Sequence, residues 1–263
     1  MLAATDAAAP GVDARSVDAG APNDAFAVDT GVPNDAWAQP SVDAFVEDAF
    51  VPPVDAGVSY CPPGARVCDD FEMGPVSRQP PFDWGPDVVQ STARAHRGAA
   101  SGLFETMAAG EQPSVGVDFT TPPTDIWARF WAYVDSANVV QESSLFAVNE
   151  GVPPYGGTSL LLNDSGLAVY TSGGTGTYLS GVPMPRDRWV CLSMHVVVGP
   201  MGTIDVSLDG ASVISGVADT RLPAGVNNAS VGITYTGSAQ TPPLSYAIDD
   251  VAITIDGTPL PCF

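Results

Sequence analysis

Ala247-Ile248-Asp249-Asp250-Val251-Ala252-Ile253, ahead of Cys262, and Asp69-Asp70-Phe71-Glu72, behind Cys68, decide the fold of this chain. Both are short, acidic, strand-like segments next to a cysteine, and they bound everything that reads as globular. They predict first and last strands that lie side by side in an all-β sandwich. Between them, turn signals recur at short intervals: Asn163-Asp164-Ser165-Gly166, Ser172-Gly173-Gly174, Gly199-Pro200-Met201-Gly202, Asp209-Gly210 and Asp256-Gly257. The turns separate runs rich in Val, Ile, Thr and aromatics at 115–120, 126–134, 144–149, 158–162, 167–171, 188–198, 203–208, 211–217, 230–235 and 245–254. No run holds a helical apolar period over about twelve positions, so the class is all-β.

Alternation with a period of two assigns the faces of the longer strands. In Ile126–Val134, one face carries Ala128, Phe130, Ala132 and Val134 and reads as core. The other carries Trp127, Arg129, Trp131 and Tyr133, large rings around a charge, as an open ligand-binding sheet would. Along 189–198, Val190, Leu192, Met194, Val196 and Val198 form the apolar side, so His195 points away from the core with Trp189, Cys191 and Ser193. His96, between Arg94 and Arg97 and ahead of Gly98, reads as a solvated turn.

Residues 1–60 follow different physics. They hold ten acids, at 6, 13, 18, 24, 29, 35, 43, 47, 48 and 55, against Arg15 as the one base. Prolines at 10, 22, 33, 40, 52 and 53 exclude a long helix. An acidic, self-repelling segment of this kind buries too little apolar area to offset an ordering cost of roughly 1–2 kcal/mol per residue. It is read as a disordered tether rich in Ala, Asp, Pro and Val, ahead of one domain over 61–263. Phe26, Trp37, Phe45 and Phe50 are its only candidates for partner docking. The net charge of −21, without a single lysine, excludes nucleic acid and anionic membrane surfaces as partners.

All four cysteines, Cys61, Cys68, Cys191 and Cys262, lie in the domain. An even count without paired Cys-x-x-Cys spacing favours disulfides over zinc. Cys61-Pro-Pro-Gly-Ala-Arg-Val-Cys68 is a tight loop suited to a local bridge, which leaves Cys191 to pair with Cys262. Disulfides imply an oxidising compartment, extracellular or at the outer cell surface. No export signal is visible at Met1-Leu2-Ala3-Ala4 and no stretch approaches a membrane span. Either an export leader lies upstream or the protein is cytosolic with free cysteines; the acidic tether favours the upstream leader, with lipid anchoring through that missing segment.

Cys68-Asp69-Asp70-Phe71-Glu72, Trp189-Val190-Cys191-Leu192, the hairpin into Ile204-Asp205-Val206-Ser207-Leu208-Asp209-Gly210, and Ile248-Asp249-Asp250-Val251 together resemble the concanavalin A-like lectin/glucanase superfamily. Within it, the four cysteines and the acidic ends look like a MAM domain, in which a short N-terminal and a long C-terminal bridge recur. The tether plus such a domain also looks like bacterial cell-surface lipoproteins. The resemblance covers about 61–263 and implies a two-sheet antiparallel jelly roll. It also implies a structural calcium ion between the terminal strands, for which Asp70, Glu72, Asp249 and Asp250 are the candidate ligands. The alternative is an exposed Asp249 and an Asp250 that hydrogen-bonds backbone amides.

Catalysis is weakly supported. The Glu-x-Asp-x-x-Glu motif of the superfamily's glucanases is absent, and Glu105, Glu111, Glu142 and Glu150 stand apart. Lyases of this fold pair a Tyr or His base with an Arg or Gln, so Arg129, His195 and Tyr133, with Tyr170, are the candidates for a polysaccharide lyase. They depart from the Arg-x-Glu-x-Arg and Gln-x-His signatures of alginate lyases. The leading expectation is a non-catalytic, lectin-like domain that binds a polysaccharide or glycoconjugate through Trp127, Arg129, Trp131, Tyr133 and His195. The alternatives are a structural or adhesive surface domain, whose rings lie under a loop as a second small core, and the lyase.

Overall fold

The computed structural model describes residues 61–73, 82–84, 87–108, 110–150, 156–172, 177–222 and 224–262. The tether therefore lies outside the described residues. Fifteen strands are described: Val67–Asp69 (β1), Phe82–Trp84 (β2), Val88–Ser91 (β3), Ser101–Thr106 (β4), Ser114–Asp118 (β5), Asp125–Tyr133 (β6), Glu142–Asn149 (β7), Gly157–Asn163 (β8), Gly166–Thr171 (β9), Thr177–Ser180 (β10), Trp189–Val197 (β11), Gly202–Leu208 (β12), Ala211–Ala218 (β13), Asn228–Gly232 (β14) and Leu244–Thr254 (β15). Among the described residues no helix is long and apolar enough to cross a membrane.

The strands form two antiparallel sheets. The eight-stranded sheet runs β13-β12-β11-β6-β15-β4-β3, with β1 added beside β15, and the seven-stranded sheet runs β10-β9-β8-β7-β14-β5-β2. The terminal strands pair as expected, with Val67 opposite Ile253, Cys68 opposite Ala252 and Asp69 opposite Val251. β4 takes the other half of the same edge of β15, from Leu244 to Ile248. The register of β15 against β6 shifts between Asp249 and Ala252, and Asp250 has a positive φ of 50°. This bulge turns consecutive aspartates toward the outer side of the sheet.

The core lies between the sheets and follows the alternation. Ala128, Phe130, Ala132 and Val134 are fully buried, as are Val190, Leu192, Met194 and Val196. They meet Val115, Phe146, Leu160, Val169 and Val231 of the other sheet. Cys61 bridges Cys68 and Cys191 bridges Cys262, and none of the four is free.

Candidate functional site

β6 and β11 are direct neighbours, and their register sets Trp127 opposite His195, Arg129 opposite Ser193, Trp131 opposite Cys191 and Tyr133 opposite Trp189. The expected binding residues therefore do share the outer face of the eight-stranded sheet. That face is covered by the chain's own side chains. His96 stacks on Trp131 with ring centroids 3.6 Å apart and planes 14° from parallel. Arg94 lies over the Tyr133 ring at 4.2 Å and pairs with Asp135 at 2.9 Å. His195 stacks on Trp127 at 4.2 Å. Arg129 is only 2% exposed. The C-terminal segment also crosses here: Ser193 Oγ donates to the Leu260 carbonyl at 2.8 Å, Leu260 is buried, and Cys262 is bonded to Cys191. Trp127, Trp131, Tyr133 and His195 are half-buried, each packed by another of the chain's own side chains, so this face is partly covered.

His96 is correspondingly not a solvated turn. The bulge in β15 draws its loop down: Asp249 Oδ2 accepts the His96 amide at 2.8 Å and the Arg97 amide at 3.4 Å. Asp250 Oδ2 sits 2.9 Å from His96 Nδ1 and 4.0 Å from Arg97 Nε. From the other end of the domain, Glu72 Oε1 accepts the amides of Ala99 and Ala100 at 2.9 and 3.0 Å. Gly98, at a φ of +65°, passes so close that a Cβ would collide with Glu72 Oε1. Asp70 Oδ1 caps the Glu72 amide at 3.2 Å.

Three of the four candidate calcium ligands, Glu72, Asp249 and Asp250, thus anchor one loop, and Asp249 is buried rather than exposed. Burial, and then the neighbouring charge of Asp250, push the Asp249 carboxyl up to about 8, against the opposing pull of the His96, Asp250 and Arg97 amides. Among the described residues, no group of three or more His, Cys, Asp or Glu is placed to hold a metal ion. Asp70, Glu72 and Asp249 each accept at least one backbone amide and Asp250 faces His96 and Arg97, whereas a calcium site needs six to eight oxygen ligands.

The lyase candidates are dispersed. His195 Nε2 is 2.9 Å from Asp125 and its Nδ1 is 3.6 Å from Asp205, so both ring nitrogens face carboxylates. Tyr133 lies under Arg94, and Tyr170 belongs to β9 in the other sheet.

The outer face of the seven-stranded sheet differs in character. One row across it reads Tyr170, Ser159, Ala147, Ser230 and Gly116, in register over β9, β8, β7, β14 and β5. Small side chains make a low floor, and Ala147 and Ser230 are buried although the apolar core lies on the opposite side. Tyr170 is 42% exposed, and beyond it the register continues to Tyr178 of β10. Beyond β14, residues 234–237 run back along the start of β7: the Ser144 amide donates to the Tyr235 carbonyl and the Gly237 amide to the Glu142 carbonyl, both at 2.9 Å. Tyr235 is thereby set beside Glu142, with 44% of its surface exposed. Its phenol is raised above the usual 10 by burial first, then by a hydrogen bond to Glu142 and the charge of that carboxylate, with a smaller push from Tyr170. Sequence reasoning missed this pair, because Tyr235 follows the end of β14 and Glu142 opens β7, so no alternation within one strand links them.

No family model matches the chain, and no curated protein does. Solved structures do. The cellulose-induced protein Cip1 is 17% identical, with a TM-score of 0.57 over 75% of this chain and 100% of that one. An endo-β-1,4-glucuronan lyase from the fungus Trichoderma reesei is 11% identical, with a TM-score of 0.52 over 72% and 95%. A PL-14 alginate lyase from Aplysia kurodai is 12% identical, with a TM-score of 0.51 over 67% and 91%. At these identities the likeness is one of fold.

Proposed function

We propose that the domain is a non-catalytic carbohydrate-binding module of an exported, surface-tethered protein. Its ligand is a neutral polysaccharide or glycoconjugate lying along the outer face of the seven-stranded sheet. The observation that carries this reading is the pair of exposed rings, Tyr170 and Tyr235, beside a floor of small side chains. Exposed rings stack on the apolar faces of sugars, and a carboxylate such as Glu142 accepts hydrogen bonds from hydroxyls. The fold likeness to a cellulose-induced protein and two polysaccharide lyases supports a carbohydrate ligand. Both disulfides are compatible with an oxidising, extracellular compartment.

Lyase chemistry is the weaker reading. A tyrosine base must lose its proton, and Tyr235 is pushed the other way, by burial first and then by its hydrogen bond to Glu142 and that carboxylate's charge. A uronate polymer also needs cations, whereas the charged group beside Tyr235 is the carboxylate of Glu142. The test is a glycan array of neutral and uronate oligosaccharides probed with the full chain and with Tyr170→Ala. Binding of neutral glycans, weakened about tenfold or more in the variant at unchanged melting temperature, is the expected result. A rise in ultraviolet absorbance with uronate polymers overturns it in favour of a lyase. Binding that survives Tyr170→Ala and is lost in Trp131→Ala returns the site to the eight-stranded sheet.

A further inference from the structure

A cavity of about 280 Å³ opens beside Tyr235, with Thr106, Gln112, Thr236, Ser238 and Gln240 in its lining. Its walls are two loops, each fixed by one side chain. Glu111 Oε2 accepts the amides of Met107 and Ala108 at 2.5 and 2.8 Å, closing the turn after β4. Gln240 clips the opposite wall, accepting the Gln141 amide at 2.8 Å and donating to the Val139 carbonyl at 2.9 Å. A cavity whose walls are held by buttressing side chains needs little rearrangement to accept a ligand.

The chemistry of the lining restricts the occupant. Hydroxyls, amides and backbone groups face inward, and no charged side chain lines the cavity. The carboxylate of Glu111 is turned to backbone amides and that of Glu142 to the Tyr235 hydroxyl. Anionic ligands find no cation, and cationic ones no open carboxylate. Met107 and Val139, whose backbone groups Glu111 and Gln240 hold, are 67% and 72% exposed. Polar and apolar groups share the lining in comparable measure, which suits a ring that carries hydroxyls at its edge and C–H groups on its face. The volume falls just short of the roughly 300–1,000 Å³ of pockets that enclose drug-sized ligands, which leaves room for one sugar ring and not for an oligosaccharide.

We propose that this cavity is a separate subsite for a single neutral sugar unit, a chain end or side branch of the polysaccharide that lies across Tyr170. The inference rests on the reading of the seven-stranded face as a carbohydrate-binding surface. It predicts that the domain distinguishes branched or terminal residues from uniform chain interiors, because only a projecting unit enters the cavity.

The test measures binding of neutral cello-, xylo- and manno-oligosaccharides, with and without single-sugar branches, and of uronate oligomers. It uses the full chain and its Tyr170→Ala, Gln112→Trp and Ser238→Trp variants. Gln112 and Ser238 are both exposed, so a tryptophan at either fills the cavity without entering the core. The expected result is a preference for neutral branched or short ligands that falls about tenfold in each filling variant, at a melting temperature within a degree or so of the parent. Binding unchanged in both filling variants but abolished by Tyr170→Ala overturns the subsite and leaves the carbohydrate-binding face standing. No binding of any neutral oligosaccharide by the parent chain overturns both. Binding confined to uronates overturns the neutral class.

Discussion

Replacing His96 by alanine tests whether the aromatic face of the eight-stranded sheet is closed by design of the fold. The imidazole stacks on Trp131 at 3.6 Å and meets Asp250 Oδ2 at 2.9 Å. Loss of an aromatic pair costs about 0.5–1.5 kcal/mol beyond the area exposed. Asp250 is 3% exposed, and a buried acceptor left without its donor costs about 1–3 kcal/mol. Together these give about 2–4 kcal/mol, which at about 2–4 °C per kcal/mol for a domain of this size lowers the melting temperature by about 5–15 °C. Calorimetry measures the shift, and a red shift of tryptophan emission reports Trp131 meeting water. His96→Gln, which restores a donor without a stacking ring, recovers part of the loss. A change under about 1 °C with unaltered emission would refute the clamp. Gain of glycan binding by His96→Ala, insensitive to Tyr170→Ala, would refute the placement of the ligand on the other sheet.

Three further outcomes follow from the same contacts. Removing the bridge between Cys191 and Cys262, 71 residues apart, costs about 4 kcal/mol on the loop-entropy estimate, against about 2–3 kcal/mol for the seven-residue separation of Cys61 and Cys68; thermal unfolding of Cys191→Ser/Cys262→Ser should fall below that of Cys61→Ser/Cys68→Ser, and the reverse order would count against the tail as a clasp. Asp249, raised in the fold to about 8 from 3.8, contributes stability that is fully present below about pH 4 and is lost as pH rises through the folded value, so the stability of Asp249→Asn measured from pH 4 to 9 should have a flatter slope than the parent's. Chelation with EDTA at matched ionic strength should leave the melting temperature unchanged, since the acid ends are occupied by amides; a fall that added calcium restores would reinstate the metal.

Strand sequence carried most of the fold. Each of the ten runs singled out by turn chemistry overlaps a strand, and the alternation in 126–134 placed Ala128, Phe130 and Ala132 of β6 in the core, where they are buried. The missed strands, β2, β3, β4 and β10, are short, down to the three residues of Phe82–Trp84. β4, Ser101-Gly102-Leu103-Phe104-Glu105-Thr106, lacks the β-branched run that marks its neighbours. It is held by tertiary contact: Phe71 and Phe104 meet edge to face at 6.1 Å, and a Cβ at Gly102 would press on both rings. Contacts of that kind are invisible to local propensity.

The candidate site was legible only in part, for a related reason. Alternation tells which side of a strand a ring occupies and says nothing about what lies over it. Trp131 belongs on the outer face by every local rule, yet its cover comes from His96, whose loop is fixed by Glu72 from one end of the domain and by Asp249 and Asp250 from the other. The pairing of β1 with β15, the bulge, the loop at 96–100 and the tail that ends at Cys262 all converge on this sheet. Closing the domain therefore covers part of its most aromatic face. On the opposite face the strands carry small residues, and Tyr170 and Tyr235 keep 42% and 44% of their surface exposed. A sparse floor with exposed rings at its margin is the poorer sequence signal and the better platform for a sugar chain.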